Sequence, residues 1–97
     1  MIEKIENKIN LSHTTIIKNT LGVHARPAAK ISQIVENAKQ NVWISTKNNK
    51  VDAGSIIDIL SLGASQGTKV VIEIETLEDI DILKSISNLI ESRFGEE

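Results

Sequence analysis

The chain has 97 residues, 40% of them hydrophobic, with 13 acidic against 11 basic side chains and a net charge of −2. That length suits one domain with a modest core, and one Trp, one Phe and a slightly acidic balance offer neither the stacking rings nor the basic groove of a nucleic-acid binder. With no cysteine and only two histidines, no disulfide framework, metal site or cofactor is expected.

Residues 1–11 carry four charges and no long apolar run, so they predict a charged N-terminal extension rather than a signal peptide; residues 12–97 form the domain proper. No segment approaches the roughly 18 apolar residues of a membrane helix, and the expectation is a cytoplasmic monomer without membrane insertion. Residues 12–20 are rich in Thr and Ile and predict a strand, broken by Gly22. From Ala25 the pattern turns helical, with Ala28, Ile31, Val35 and Ala38 on one face. Pro27 belongs only in a first turn, where its missing N–H is not needed. The helix therefore starts just before it, with His24 at or near the N-cap.

In residues 41–46, Val42 and Ile44 alternate with Trp43 and Ser45, which predicts a half-buried strand with Trp43 on the open sheet face. Residues 47–50 read as a turn and Lys50–Ala53 as a short returning strand. Ser55 is placed to N-cap a short helix over Ile56–Leu60 that Gly63 ends. After a turn at Gly67, residues 69–75 alternate again, with Val70, Ile72 and Ile74 on one side. Leu77, Ile80, Leu83, Ile86 and Ile90 trace a last helical stripe, and Glu78, Asp79 and Asp81 suit its positive end. The order β-α-β-β-α-β-α predicts a two-layer α+β fold, with three helices on one face of a four-stranded, mostly antiparallel sheet.

A histidine at a helix start sits among free backbone N–H groups and a positive dipole end. That environment disfavours imidazolium, and a neutral ring keeps one nucleophilic lone pair. An anion carried on the ring would meet the helix N–H groups directly, and Arg26 adds a cationic fork suited to phosphate. His24, Arg26 and Pro27 together make a coherent phosphohistidine site. His13, in the first strand, has no such company and reads as structural or exposed.

The run LGVHARPAA (21–29) resembles the active-site motif of HPr, the histidine-containing phosphocarrier of the bacterial sugar phosphotransferase system. VDAGSIIDILSLG (51–63) resembles the second motif of that family, and the separation of the two fits without a gap. The resemblance covers residues 12–94 and implies the open-faced β-sandwich. It implies that His24 accepts phosphoryl on Nδ1 from enzyme I, itself charged by phosphoenolpyruvate, and passes it to the A domain of a sugar-specific enzyme II. Arg26 would assist transfer, and the N–H groups of Ala25 and Arg26 would cradle the phosphate. Such a protein is a stoichiometric carrier rather than an enzyme, though it is classed with transferases.

By the same resemblance Ser55 matches the serine modified by HPr kinase/phosphorylase, and Ala29, Ile56, Ile57 and Leu60 lie on the partner-docking surface. Helical spacing favours Ile56 and Leu60 for the core and leaves Ile57 as the exposed contact. The alternative is a regulatory HPr-like module acting through Ser55, or a member of a nitrogen-related phosphorelay. Three features depart from the family pattern: the extension at 1–11, Gly54 where a larger residue is usual, and TLED (76–79) in place of a Gly-containing turn.

Overall fold

The computed structural model describes residues 11–96. The elements are β1 (Ser12–Ile16), α1 (Ala25–Val35), β2 (Val42–Ser45), β3 (Lys50–Asp52), α2 (Ile56–Ser61), β4 (Lys69–Ile74) and α3 (Ile80–Glu91), with a single 3₁₀ turn at Leu77–Asp79 and a left-handed turn at Arg93–Gly95. The strands lie in the order β1-β4-β2-β3, and all three pairings are antiparallel. The expected α+β open-faced sandwich is therefore present. No helix among the described residues is long and apolar enough to cross a membrane.

The alternating strands place their apolar sets as expected. Val42 pairs with Ile74 and Ile44 with Ile72, and all four are buried beneath the helices. Trp43 falls on the open face, where its Nε1–H donates to Glu75 at 2.9 Å and Lys50 Nζ stands 5.5 Å from its ring centroid. Of the expected extension, residues 1–10 lie outside the described residues. Leu11 continues the sheet, its carbonyl accepting from the Ile74 N–H at 2.8 Å, and packs partly buried against the core.

Several boundaries and faces differ from expectation. β1 ends at Ile16, not at residue 20, because the backbone of Ile17 pairs with Thr68 and Gly67 and a turn then closes from Asn19 to Gly22 at 3.1 Å. In α2 the fully buried residue is Ile59, whereas Ile56 and Leu60 are each 39% exposed and Ile57 is 77% exposed. A helix of six residues is too short for apolar spacing to single out one buried face. Leu77 drops out of the α3 stripe because it lies in the preceding 3₁₀ turn, half exposed. His13 is exposed on the edge strand.

Asp79 also does something other than meet the helix dipole. It is 2% exposed, and its carboxylate accepts from the N–H groups of Lys39 at 2.8 Å and Gln40 at 3.0 Å. It thereby ties the α1–β2 connection to the turn before α3 through charge-assisted hydrogen bonds that compensate the buried carboxylate. At the other end of α3, Glu91 accepts from Thr15 Oγ1 at 2.7 Å and from Lys18 Nζ, joining the helix to β1. The Lys18 bond first, and the Thr15 bond next, hold the Glu91 carboxyl below the usual carboxylate range.

Two measurements check this packing. Ile59→Ala removes buried methylene groups and should cost about 3 kcal/mol in urea unfolding, while Ile57→Ala should change stability by less than about 0.5 kcal/mol. A carboxyl lowered by folding stabilises above its unfolded pKa and loses that contribution as pH falls through the lowered value. The difference in urea midpoint between wild type and Glu91→Gln should therefore be present at pH 7 and shrink below about pH 4. A difference that persists unchanged to pH 3 would contradict the ionic account.

Candidate functional site

The site is built from three pieces of chain: the Asn19–Val23 loop, the start of α1, and residues 93–96 beyond α3. The loop is positioned by close backbone contact. Gly22 has φ of +69°, and a Cβ there would lie 2.6 Å from the Ala64 carbonyl oxygen and 2.9 Å from Ser65 Cα. Only glycine tolerates both the left-handed backbone and that approach. The next N–H, from Val23, donates to the same Ala64 carbonyl at 2.9 Å, and the Val23 side chain enters the core. His24 follows directly.

His24 is the N-cap of α1, in extended conformation, and its carbonyl accepts the first helical bond from Ala28 at 3.0 Å. Its side chain makes no capping bond. The N–H groups of Ala25 and Arg26, first in the helix, therefore have no intrahelical acceptor. Pro27 is third in the helix and buried, and the donor it lacks would also have had no partner within the helix. Ala25 and Arg26 are exposed; Ala29 is partly buried. The expected helix-start arrangement of His24, Arg26 and Pro27 is thus assembled, and the positive end of α1 faces an accessible ring.

Sequence reasoning missed the partner of that ring. His24 Nε2 lies 2.9 Å from Glu96 Oε2, with the His24 and Glu96 side chains 34% and 13% exposed. The other oxygen of Glu96 accepts from Asn19 Nδ2 at 2.9 Å, and the same Nδ2 donates to the Gly22 carbonyl at 2.8 Å. Asn19 is fully buried. The Asn19 bond is the main cause holding the Glu96 carboxyl below its usual range; desolvation opposes it, and the His24 bond and the charges of His24 and Arg26 add to it. Glu96 is 72 residues from His24, and no spacing rule links them. The only sequence signal was Asn19, a polar residue at a place in the pattern that the fold buries.

The second motif forms a separate helix start. Ser55 caps α2, its Oγ accepting from the Asp58 N–H at 3.2 Å, as expected. Gly54 packs against α1: a Cβ there would meet Asp52 Oδ1 at 3.1 Å and Val35 Cγ1 at 3.4 Å, and Ser32 Oγ donates to its carbonyl at 3.3 Å. Ile56, Ile57 and Leu60 present apolar surface on α2. Leu21 adds another exposed apolar side chain, 71% exposed, three residues before His24. No periodic pattern marks it in the sequence, although a leucine inside a tight turn has little core to enter.

Known proteins resemble this chain in sequence and in fold. A family model described as the PTS HPr component phosphorylation site matches residues 11–92. The phosphocarrier protein HPr of Xylella fastidiosa (strain 9a5c) is 38% identical over 87 residues, covering 90% of this chain and 98% of its own. The phosphocarrier protein NPr of Klebsiella oxytoca is 29% identical over 90 residues, covering 92% and 100%. Among solved structures, that of HPr-C-His from Thermoanaerobacter tengcongensis matches with a TM-score of 0.82 and 43% identity, covering 89% of this chain and 97% of that one. A uncapped helix start bearing a histidine, on an open-faced sandwich with these relatives, means that the chain belongs to the HPr family of phosphocarrier proteins of the phosphotransferase system.

Proposed function

We propose that His24 accepts a phosphoryl group on Nδ1 from enzyme I and delivers it to the A domain of a sugar-specific enzyme II. The observation that carries this reading is the ring at the uncapped start of α1 with Nε2 engaged by Glu96, which leaves Nδ1 for the phosphorus. The N–H groups of Ala25 and Arg26 are the donors for the phosphate oxygens, and Arg26 supplies the positive charge. The protein acts as a carrier, consumed in one transfer and regenerated in the next. Transfer must run both ways, so the cradle has to favour the transferring phosphoryl group over the resting one.

Ile56, Ile57, Leu60 and Ala29 form the surface on which partners dock, and Leu21 extends the apolar area available near His24. Modification of Ser55 would add negative charge beside Ile56 and Ile57 and hinder an acidic partner. The cap that Ser55 now supplies is compatible with that role.

Incubation with enzyme I and labelled phosphoenolpyruvate should give one acid-labile, alkali-stable phosphate per chain. His24→Ala should abolish it, and Arg26→Ala should slow it about tenfold or more, the cost of one charge-assisted hydrogen bond. Ile57→Glu should weaken transfer by raising the KM for enzyme I, with little loss of stability. Absence of label in the wild type, or equal labelling of His24→Ala, would overturn the reading.

A further inference from the structure

The C-terminal segment approaches His24 by a route that costs backbone strain. Arg93 and Phe94 both take left-handed conformations, with φ of +60° and +57°. Neither is glycine, and each such residue costs about 1 kcal/mol or more. The turn is fastened on both sides. The Phe94 side chain is fully buried, and its carbonyl accepts from Lys30 Nζ of α1 at 2.7 Å. Beyond it, Glu96 reaches Asn19 and His24.

The orientation of Asn19 is fixed by its own contacts. Turning its amide over would set an oxygen against the Gly22 carbonyl and the Glu96 carboxylate, two acceptors. The correct orientation leaves Asn19 Oδ1 buried without a hydrogen-bond partner among the described residues. An orphaned acceptor is tolerated so that one amide can hold the loop and the carboxylate together.

We propose that Glu96 is a positioning residue for phosphoryl transfer, keeping the proton of His24 on Nε2 in both the free and the phosphorylated ring. This rests on His24 being the carrier. In the free ring, a carboxylate at 2.9 Å accepts the Nε2–H and leaves the lone pair on Nδ1. In transfer, that lone pair forms the N–P bond while the bond from phosphorus to the donor breaks and its electron pair leaves with the donor. The Nε2 proton stays, so the ring becomes cationic.

The positive end of α1 opposes that cation, and the Glu96 carboxylate balances it. On delivery, the acceptor's lone pair forms the new bond to phosphorus and the N–P electron pair returns to Nδ1. A protonated ring leaves as neutral imidazole, whereas a ring stripped of its Nε2 proton would have to leave as imidazolate. Glu96 therefore keeps the phosphoryl group labile at the pH where the helix dipole would otherwise discourage the proton.

The test uses the whole chain charged with potassium phosphoramidate, a small donor that needs no docking surface, and follows the phosphohistidine and its loss by ³¹P NMR from pH 6 to 9. Glu96→Gln keeps the shape and a hydrogen-bond acceptor but removes the charge. Its phosphoryl loss should match wild type near pH 6 and fall about tenfold behind by pH 8–9, the scale of one charged hydrogen bond. Glu96→Asp should recover part of the difference. Long-range ¹H–¹⁵N spectra of the free ring should show Nε2 protonated in wild type and a mixture of tautomers in Glu96→Ala. Equal rates across the pH range, or a pH-independent drop that tracks lost stability, would overturn the role of Glu96 and leave the carrier reading standing. Failure of wild type to take phosphate on His24 would overturn the carrier reading itself, and this role with it.

Discussion

The contact on which the site depends is the close passage of the Gly22 backbone over the Ala64 carbonyl. It joins the loop before α1 to the loop after α2, so it fixes where α1 begins relative to the rest of the fold. A side chain at residue 22 would push the two loops apart by more than soft contacts could absorb. Val23 then drops into the core, and the backbone has no freedom left to place His24 anywhere but the helix start. The chemistry of the site thus begins with a packing constraint that involves no functional group.

At that helix start, two electrostatic demands compete. The helix end favours an anion, and so a phosphoryl group. The same end disfavours a cationic ring, which is the form a histidine takes when it carries phosphate on Nδ1 with Nε2 still protonated. On the proposed roles, the uncapped N–H groups of α1 would meet the first demand and the Glu96 carboxylate at His24 Nε2 the second. A conventional capping residue at position 24 would satisfy the helix better and spoil both arrangements.

Much of this was legible in the sequence because it is local. Alternation in Val42/Ile44 and in Val70/Ile72/Ile74 named the buried sheet face, and Pro27 marked the helix start within a turn. Ser55 was recognisable as a cap, since an N-cap depends only on the three residues after it. The illegible parts are those set by tertiary contact. The face of α2 cannot be read from less than two turns, so spacing points to Ile56 and Leu60 where the fold buries Ile59. Asp79 reads as an ordinary dipole partner because the donors it accepts from, the backbone N–H groups of Lys39 and Gln40, are about 40 residues away. Glu96 was invisible for the same reason, its placement depending on two non-glycine residues in left-handed turns.

That last placement says something about how the carrier is put together. α3 ends at Glu91, and the chain then takes left-handed conformations at Arg93 and Phe94 before Glu96 reaches His24. The reversal at Arg93 and Phe94 is held by the burial of Phe94 and by Lys30, both independent of His24. Core packing thus covers the cost of the turn, and the ion pair at the ring does not have to. If His24 is the carrier as proposed, a carboxylate delivered in this way is already in place before phosphoryl arrives. It has little reorganisation to undergo when the ring charge changes, which is the condition under which a single charge is most effective in transfer.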